Sequence, residues 1–191
     1  KVEDHASSTY ISVLDENGDM FVALSDMSVL QEMTVDFIHS KSSIIKGSRL
    51  ITCDPALHPD VMEEILNLYS DTIPVFVDPV SCAYAETIVD FIGKFHTAKP
   101  NILETEILSG MKIKSKKDLY KAAEKILDKG LKRIFISLGA DGCLYMDREG
   151  KHIERKLAPV EHMVNASGAG DAFMAAVIYS YINAFTLDKT I

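Results

Sequence analysis

The sequence predicts an α/β protein of three layers, αβα, with a mostly parallel sheet covered by helices on both faces and a small β-hairpin beside it. Three observations carry this expectation. Short apolar runs, Leu50-Ile51-Thr52-Cys53, Val75-Phe76-Val77 and Ile134-Phe135-Ile136, alternate with longer segments whose apolar residues recur at helical spacing. Strands apolar throughout belong to sheets buried on both faces. An early Asn17-Gly18 pair between two strand-like runs signals a hairpin that stands outside the alternation.

The elements follow in order. Tyr10-Ile11-Ser12-Val13-Leu14 and Met20-Phe21-Val22-Ala23-Leu24 form the hairpin, which occupies residues 9–24. Residues 50–53 are a strand. Residues 59–70 are a helix with Val61, Met62, Ile65, Leu66 and Tyr69 on one face. The run 75–77 is a strand that ends at Asp78-Pro79. Pro100-Asn101 leads into a helix that stops at Gly110. Ser115 and Asp118 have the spacing of a capping box for a helix with Leu119, Ala122, Ala123, Ile126 and Leu127 inward and Gly130 at its end. After the strand at 134–136, Cys143-Leu144-Tyr145-Met146 and the segment around Ile153 form a strand pair turning at Gly150. Residues 172–181 contain no Gly or Pro and read as a buried helix.

With 191 residues, 47% apolar and 25% charged, the chain has the composition of one soluble globular domain, residues 1–191. A net charge of −8 argues against nucleic-acid or membrane-surface binding, yet leaves room for a small anionic ligand held by a few local donors. Cys53, Cys82 and Cys143 are odd in number and widely spaced, which suits free thiols in a reducing cytoplasm. The six histidines form no zinc pattern, and neither a signal peptide nor a spanning segment is visible. The chain starts at Lys1 and ends at Ile191 without a helix terminator, so it is expected to be a piece of a longer one.

The densest chemistry lies in Gly168-Ala169-Gly170-Asp171, at the opening of the last helix. Small residues let backbone N–H groups approach a ligand closely, and the free amides of a first helical turn seat an anion. Asp171 stands beside that seat, where a general base would meet an anion hole. The alternative is a helix start with small residues for packing. Two other glycine motifs fail on spacing: a dinucleotide fingerprint needs Gly where Phe173 stands, and no Gly-Lys-Ser/Thr ending of a P-loop occurs.

The run Asn165-Ala166-Ser167-Gly168-Ala169-Gly170-Asp171 resembles the C-terminal signature of the ribokinase-like (PfkB) carbohydrate kinases, Asp-Thr-x-Gly-Ala-Gly-Asp, with Asn165 and Ala166 departing from it. In this form it is most similar to the branch of that family acting on pseudouridine, as are Val77-Asp78-Pro79-Val80-Ser81 and the hairpin. The resemblance implies the Rossmann-like, ribokinase-like fold. It also implies transfer of the γ-phosphoryl group of ATP to a primary hydroxyl of a sugar or nucleoside, the 5′-hydroxyl of pseudouridine above all. Ribose, fructose or adenosine are the alternative acceptors, and a non-catalytic nucleotide-binding regulator is the alternative function. Missing by the same comparison are an N-terminal third and the C-terminal helices that complete the adenine pocket.

The resemblance assigns further residues, each with a structural alternative. Asn101 and Glu104 match the family's Asn-x-x-Glu motif, which holds magnesium and phosphate largely through water. They equally suit a helix cap with an acidic first turn. Lys99 would offer positive charge to a phosphate. Asp78 is either a carboxylate near magnesium or a strand-end turn. Ser137, Gly139 and Gly142 resemble the nucleotide loop that meets ATP, or make an ordinary tight turn. The hairpin would be a lid that excludes water from the reaction, an edge element, or a homodimer contact. Asp171 would act as base, with Gly168, Ala169 and Gly170 holding the transferring oxygens. ATP and Mg²⁺ are the implied cosubstrate and metal.

Overall fold

The protein is described from a computed structural model covering residues 2–15, 20–158 and 168–191. Strands β1 (Thr9–Leu14) and β2 (Met20–Asp26) pair antiparallel as a separate two-stranded sheet, in register from Thr9 opposite Asp26. The Asn17-Gly18 turn between them lies outside the described residues. Helices α1 (Val35–Ser40) and α2 (Ser42–Lys46) lead into the main sheet.

That sheet has six strands in sequence order: β3 (Ile51–Cys53), β4 (Val75–Val77), β5 (Thr97–Ala98), β6 (Arg133–Ser137), β7 (Cys143–Asp147) and β8 (His152–Arg155). The first four run parallel, and β7 and β8 return antiparallel as a meander. Helices α3 (Pro59–Tyr69), α4 (Cys82–Ile88), α5 (Ile102–Ser109) and α6 (Lys116–Asp128) connect the parallel strands. Two helices, α7 (Ala169–Ile182) and α8 (Leu187–Thr190), follow the meander.

The period of two along each strand divides the core. Val75, Val77, Ile134, Ile136, Leu144 and Met146 face the layer that contains α3 to α6. Phe76, Phe135 and Tyr145 face α7, meeting Met174 and Val177. The helix faces agree with the spacing in the sequence: Val61, Met62, Ile65, Leu66 and Tyr69 of α3 are buried, as are Leu119, Ala122, Ala123, Ile126 and Leu127 of α6. Gly110 ends α5 in the left-handed conformation, φ +65°, which places no Cβ against the preceding carbonyl.

The last helix buries one stripe among the described residues: within α7, Met174, Val177 and Ser180 are buried, and Tyr179 is 62% exposed. That stripe, at every third residue, is the one that meets the sheet.

Candidate active site

The parallel strands end together, and the residues that follow them meet along one edge. Asp78 follows β4 and Lys99 follows β5. The ammonium nitrogen of Lys99 lies 3.0 Å from Asp78 Oδ2, with the lysine side chain only 5% exposed. Burial pushes the Asp78 carboxyl above its ordinary range, more than the Lys99 charge and hydrogen bond pull it down; the Asp171 charge adds to the rise. Asp171 stands in the first turn of α7. A Cβ built on Gly170 would lie 3.5 Å from Lys99 Nζ, so the lysine reaches the start of that helix. A carboxylate, a cation and a helix N-terminus from three separate segments thus converge.

Asn101 and Glu104 form a complete capping box on α5. Asn101 Oδ1 accepts from the Glu104 N–H, and Glu104 Oε2 accepts from the Asn101 N–H, both at 2.9 Å. The structural alternative for this pair is therefore realised. It does not use all of Glu104, whose Oε1 makes no hydrogen bond among the described residues. Burial raises the Glu104 carboxyl most; the Asn101 amide lowers it, the Asp78 charge raises it and the Lys99 charge lowers it. Thr105 Oγ1 ties down the Asn101 carbonyl at 2.6 Å.

These residues fit a magnesium ion in one respect: the half-buried Asp78 carboxylate stands close enough to the buried Glu104 for its charge to raise the Glu104 carboxyl. Among the described residues no group of three His, Cys, Asp or Glu side chains is placed to hold a metal.

Ser137 ends β6 beside Asn101: its N–H donates to the Pro100 carbonyl at 3.0 Å, and Asn101 and Ser137 form a parallel bridge. In the loop beyond, Gly139 has φ +61° and open space where a Cβ would point. Gly142 differs. Its N–H is taken by the Gly139 carbonyl, and a Cβ there would meet the Arg155 carbonyl oxygen at 1.8 Å, so packing against the end of β8 alone accounts for glycine. Gly168 caps α7 at φ +80° with no side-chain hydrogen bond. Asn165, Ala166 and Ser167 lie outside the described residues.

A feature with no sequence signal sits after Asp78. The Ser81 N–H donates to the Pro79 carbonyl at 2.6 Å with Val80 between them at φ +63°, a γ-turn of the positive-φ kind. Asp78 Oδ1 accepts from the Val80 N–H at 3.3 Å. A β-branched residue in this region costs on the order of 1–3 kcal/mol.

A concavity of about 780 Å³ lies at the other end of the strands, between the C-terminal end of α7 and the sheet. Phe76, Arg133, Tyr145 and Tyr181 line it, and it contains none of Asp78, Lys99, Asn101, Glu104, Ser137, Gly139, Gly142, Gly168, Ala169, Gly170 and Asp171. The convergence of charged groups, and not the volume, marks the candidate site.

The whole chain, residues 1–191, matches the model of the pfkB family carbohydrate kinases. The chain belongs to that family. It is 32% identical over 186 residues to the pseudouridine kinase of Escherichia coli, covering 97% of this chain and 58% of that one. A crystal structure described as a candidate sugar kinase from Clostridium perfringens is 38% identical, with a TM-score of 0.81, covering 96% of this chain and 57% of that one. Adenosine kinase from Schistosoma mansoni in complex with 2-fluoroadenosine superimposes with a TM-score of 0.85, covering 99% of this chain and 60% of that one. At 15% identity, that last likeness is one of fold. The chain spans a little over half the length of the curated relatives it matches.

Proposed function

We propose that the intact protein transfers the γ-phosphoryl group of ATP to a primary hydroxyl, with the 5′-hydroxyl of pseudouridine as the acceptor. One observation carries the reading: Lys99 Nζ stands 3.0 Å from Asp78 and beside Gly170, so a fixed cation faces a helix start that bears a carboxylate. Phosphoryl transfer needs little covalent help and depends on positioned positive charge and a base for the hydroxyl.

In this reading Asp171 takes the hydroxyl proton. The N–H groups of Gly168, Ala169 and Gly170, of which the first turn of α7 uses none internally, hold the transferring oxygens. Lys99 offsets phosphate charge. Asp78, Glu104 and Asn101 would hold Mg²⁺ largely through water, and the ion would supply further positive charge to the phosphates. Ser137, Gly139 and Gly142 form the nucleotide loop, with Gly142 shaping it through packing. The sheet of β1 and β2, in a single domain of residues 1–191, is the lid. Its Ile11, Phe21 and Leu24 are more than half exposed, which suits closure over a ligand or contact with a second copy. The 32% identity to a pseudouridine kinase supports the acceptor, and the unpaired cysteines suit a cytoplasmic protein. No helix among the described residues is long and apolar enough to cross a membrane.

The test is an acceptor screen of the intact protein with ATP and Mg²⁺. Pseudouridine differs from uridine by a carbon–carbon glycosidic bond and an extra ring N–H, and a buried acceptor for that N–H would reject uridine. The expected result is a kcat/KM for pseudouridine well above those for uridine, ribose, fructose and adenosine. A better sugar would overturn the acceptor and leave the kinase. Binding of ATP without phosphorylation of any acceptor would point to a regulator.

A further inference from the structure

Val80 is strained, and packing among the described residues does not account for it. It sits at φ +63°, where a branched Cβ is least tolerated, and is 56% exposed, so buried contacts do not offset the strain. Glycine would make the same turn freely. The turn itself is used: it returns the Val80 N–H to Asp78 Oδ1 and delivers Ser81 to cap α4, its Oγ accepting from the Tyr84 N–H at 3.3 Å. Those bonds involve backbone groups and neighbouring side chains, and none involves the isopropyl group. A bulky apolar side chain kept where its own backbone disfavours it, exposed among the described residues beside a candidate active site, is placed to meet a group beyond them.

Strand order relates Val80 to the rest of the candidate site. The loop after β6 takes the nucleotide in the reading above, and Lys99 and Asn101 follow β5, its neighbour. The Asp78-Pro79-Val80 turn follows β4, on the far side of β5 from the nucleotide loop. Val80 therefore stands across β5 from that loop, and in the same reading this side falls to the acceptor.

We propose that Val80 is a specificity-determining residue whose isopropyl group contacts the apolar face of the bound acceptor, a sugar ring or a base. This rests on the kinase reading. Such a contact acts on binding in the ground state and transition state alike, so its loss raises KM and spares kcat.

The experiment compares intact wild type with Val80→Ala, Val80→Gly and Val80→Ile, using pseudouridine, uridine, ribose, fructose and adenosine as acceptors with ATP and Mg²⁺. The expected result is an acceptor KM raised about tenfold in Val80→Ala and more in Val80→Gly, with kcat and the KM for ATP within about twofold of wild type. Val80→Ile is expected to retain a near-normal KM. The melting temperature of Val80→Gly should not fall, because the strain is relieved. An unchanged acceptor KM in an active Val80→Ala overturns the assignment and leaves the kinase reading standing. A lower melting temperature in Val80→Gly, with kcat and both KM values shifted together, also overturns it in favour of a structural role. A wild type that phosphorylates none of the five acceptors overturns both readings.

Discussion

Lys99 Nζ and Asp78 Oδ2 stand 3.0 Å apart, the lysine side chain 5% and the aspartate 17% exposed. The two residues are joined through adjacent parallel strands: the Lys99 N–H donates to the Val77 carbonyl at 3.1 Å, which sets the end of β5 level with the end of β4. Taking both charges from water is costly, and their attraction offsets that cost only while both remain. The pair therefore makes the edge of the sheet sensitive to the loss of either member.

Lys99→Met should destabilise the protein by about 3 kcal/mol, because it leaves the half-buried Asp78 without its cation. Adding Asp78→Asn should restore part of that loss. Chemical denaturation of the two single variants and the double variant measures the coupling; additive losses would mean that the pair contributes nothing as a pair.

Asp171→Asn in the intact protein should lower kcat on the order of 10²-fold or more while ATP affinity changes little. Asp171 is exposed, so its melting temperature should match that of wild type. Steady-state kinetics beside nucleotide titration checks both parts. Near-normal turnover would remove Asp171 from the role of base.

Two glycines of one loop should respond differently to alanine. At Gly142 the new Cβ would meet the Arg155 carbonyl at 1.8 Å with φ +96°, and Gly142→Ala should cost at least about 3 kcal/mol by forcing β8 away. At Gly139 nothing lies within 4 Å, and only the backbone penalty of about 1–2 kcal/mol applies. Melting curves order the two. If Gly139→Ala raises the KM for ATP beyond what its stability loss explains, the loop meets the nucleotide.

His96 provides a pH prediction. Its ring stacks on Phe76 with centroids 5.4 Å apart, and burial, helped by the charges of Arg133 and Lys132, lowers its pKa from 6.5 to about 4. Between those values the unfolded chain binds a proton that the folded protein refuses, so stability is lost as pH falls from about 6.5 towards 4. His96→Phe keeps the stack and removes the proton. From pH 7 to pH 5 it should lose less stability than wild type, by on the order of 1 kcal/mol after allowance for the partial exposure of His96. Parallel slopes would show that His96 does not titrate this way.

What was legible in the sequence was local. The capped face of α5 depends on Asn101 and Glu104, three residues apart, and the buried face of α3 on residues within three turns. Hydrogen-bond reach along a helix and the period of 3.6 determine such features wherever the segment lies. The early hairpin and the alternation of apolar strands with amphipathic helices are of the same kind. The resemblance carried by Gly168, Ala169, Gly170 and Asp171 named the family, and the match over residues 1–191 agrees with it.

Only the tertiary structure decided the rest, because it depends on which strands are neighbours. The strand order brings Lys99 to Asp78 across 21 positions of sequence (99 − 78), and it seats Gly142 under the Arg155 carbonyl. It also selects which stripe of the apolar α7 meets the sheet, through Met174 and Val177 against Phe76, Phe135 and Tyr145. The positive φ of Val80 has no local signal, because its own chemistry disfavours it. Propensity and spacing act within a few residues, whereas these contacts follow from the packing of the whole sheet, which no short stretch of the chain encodes.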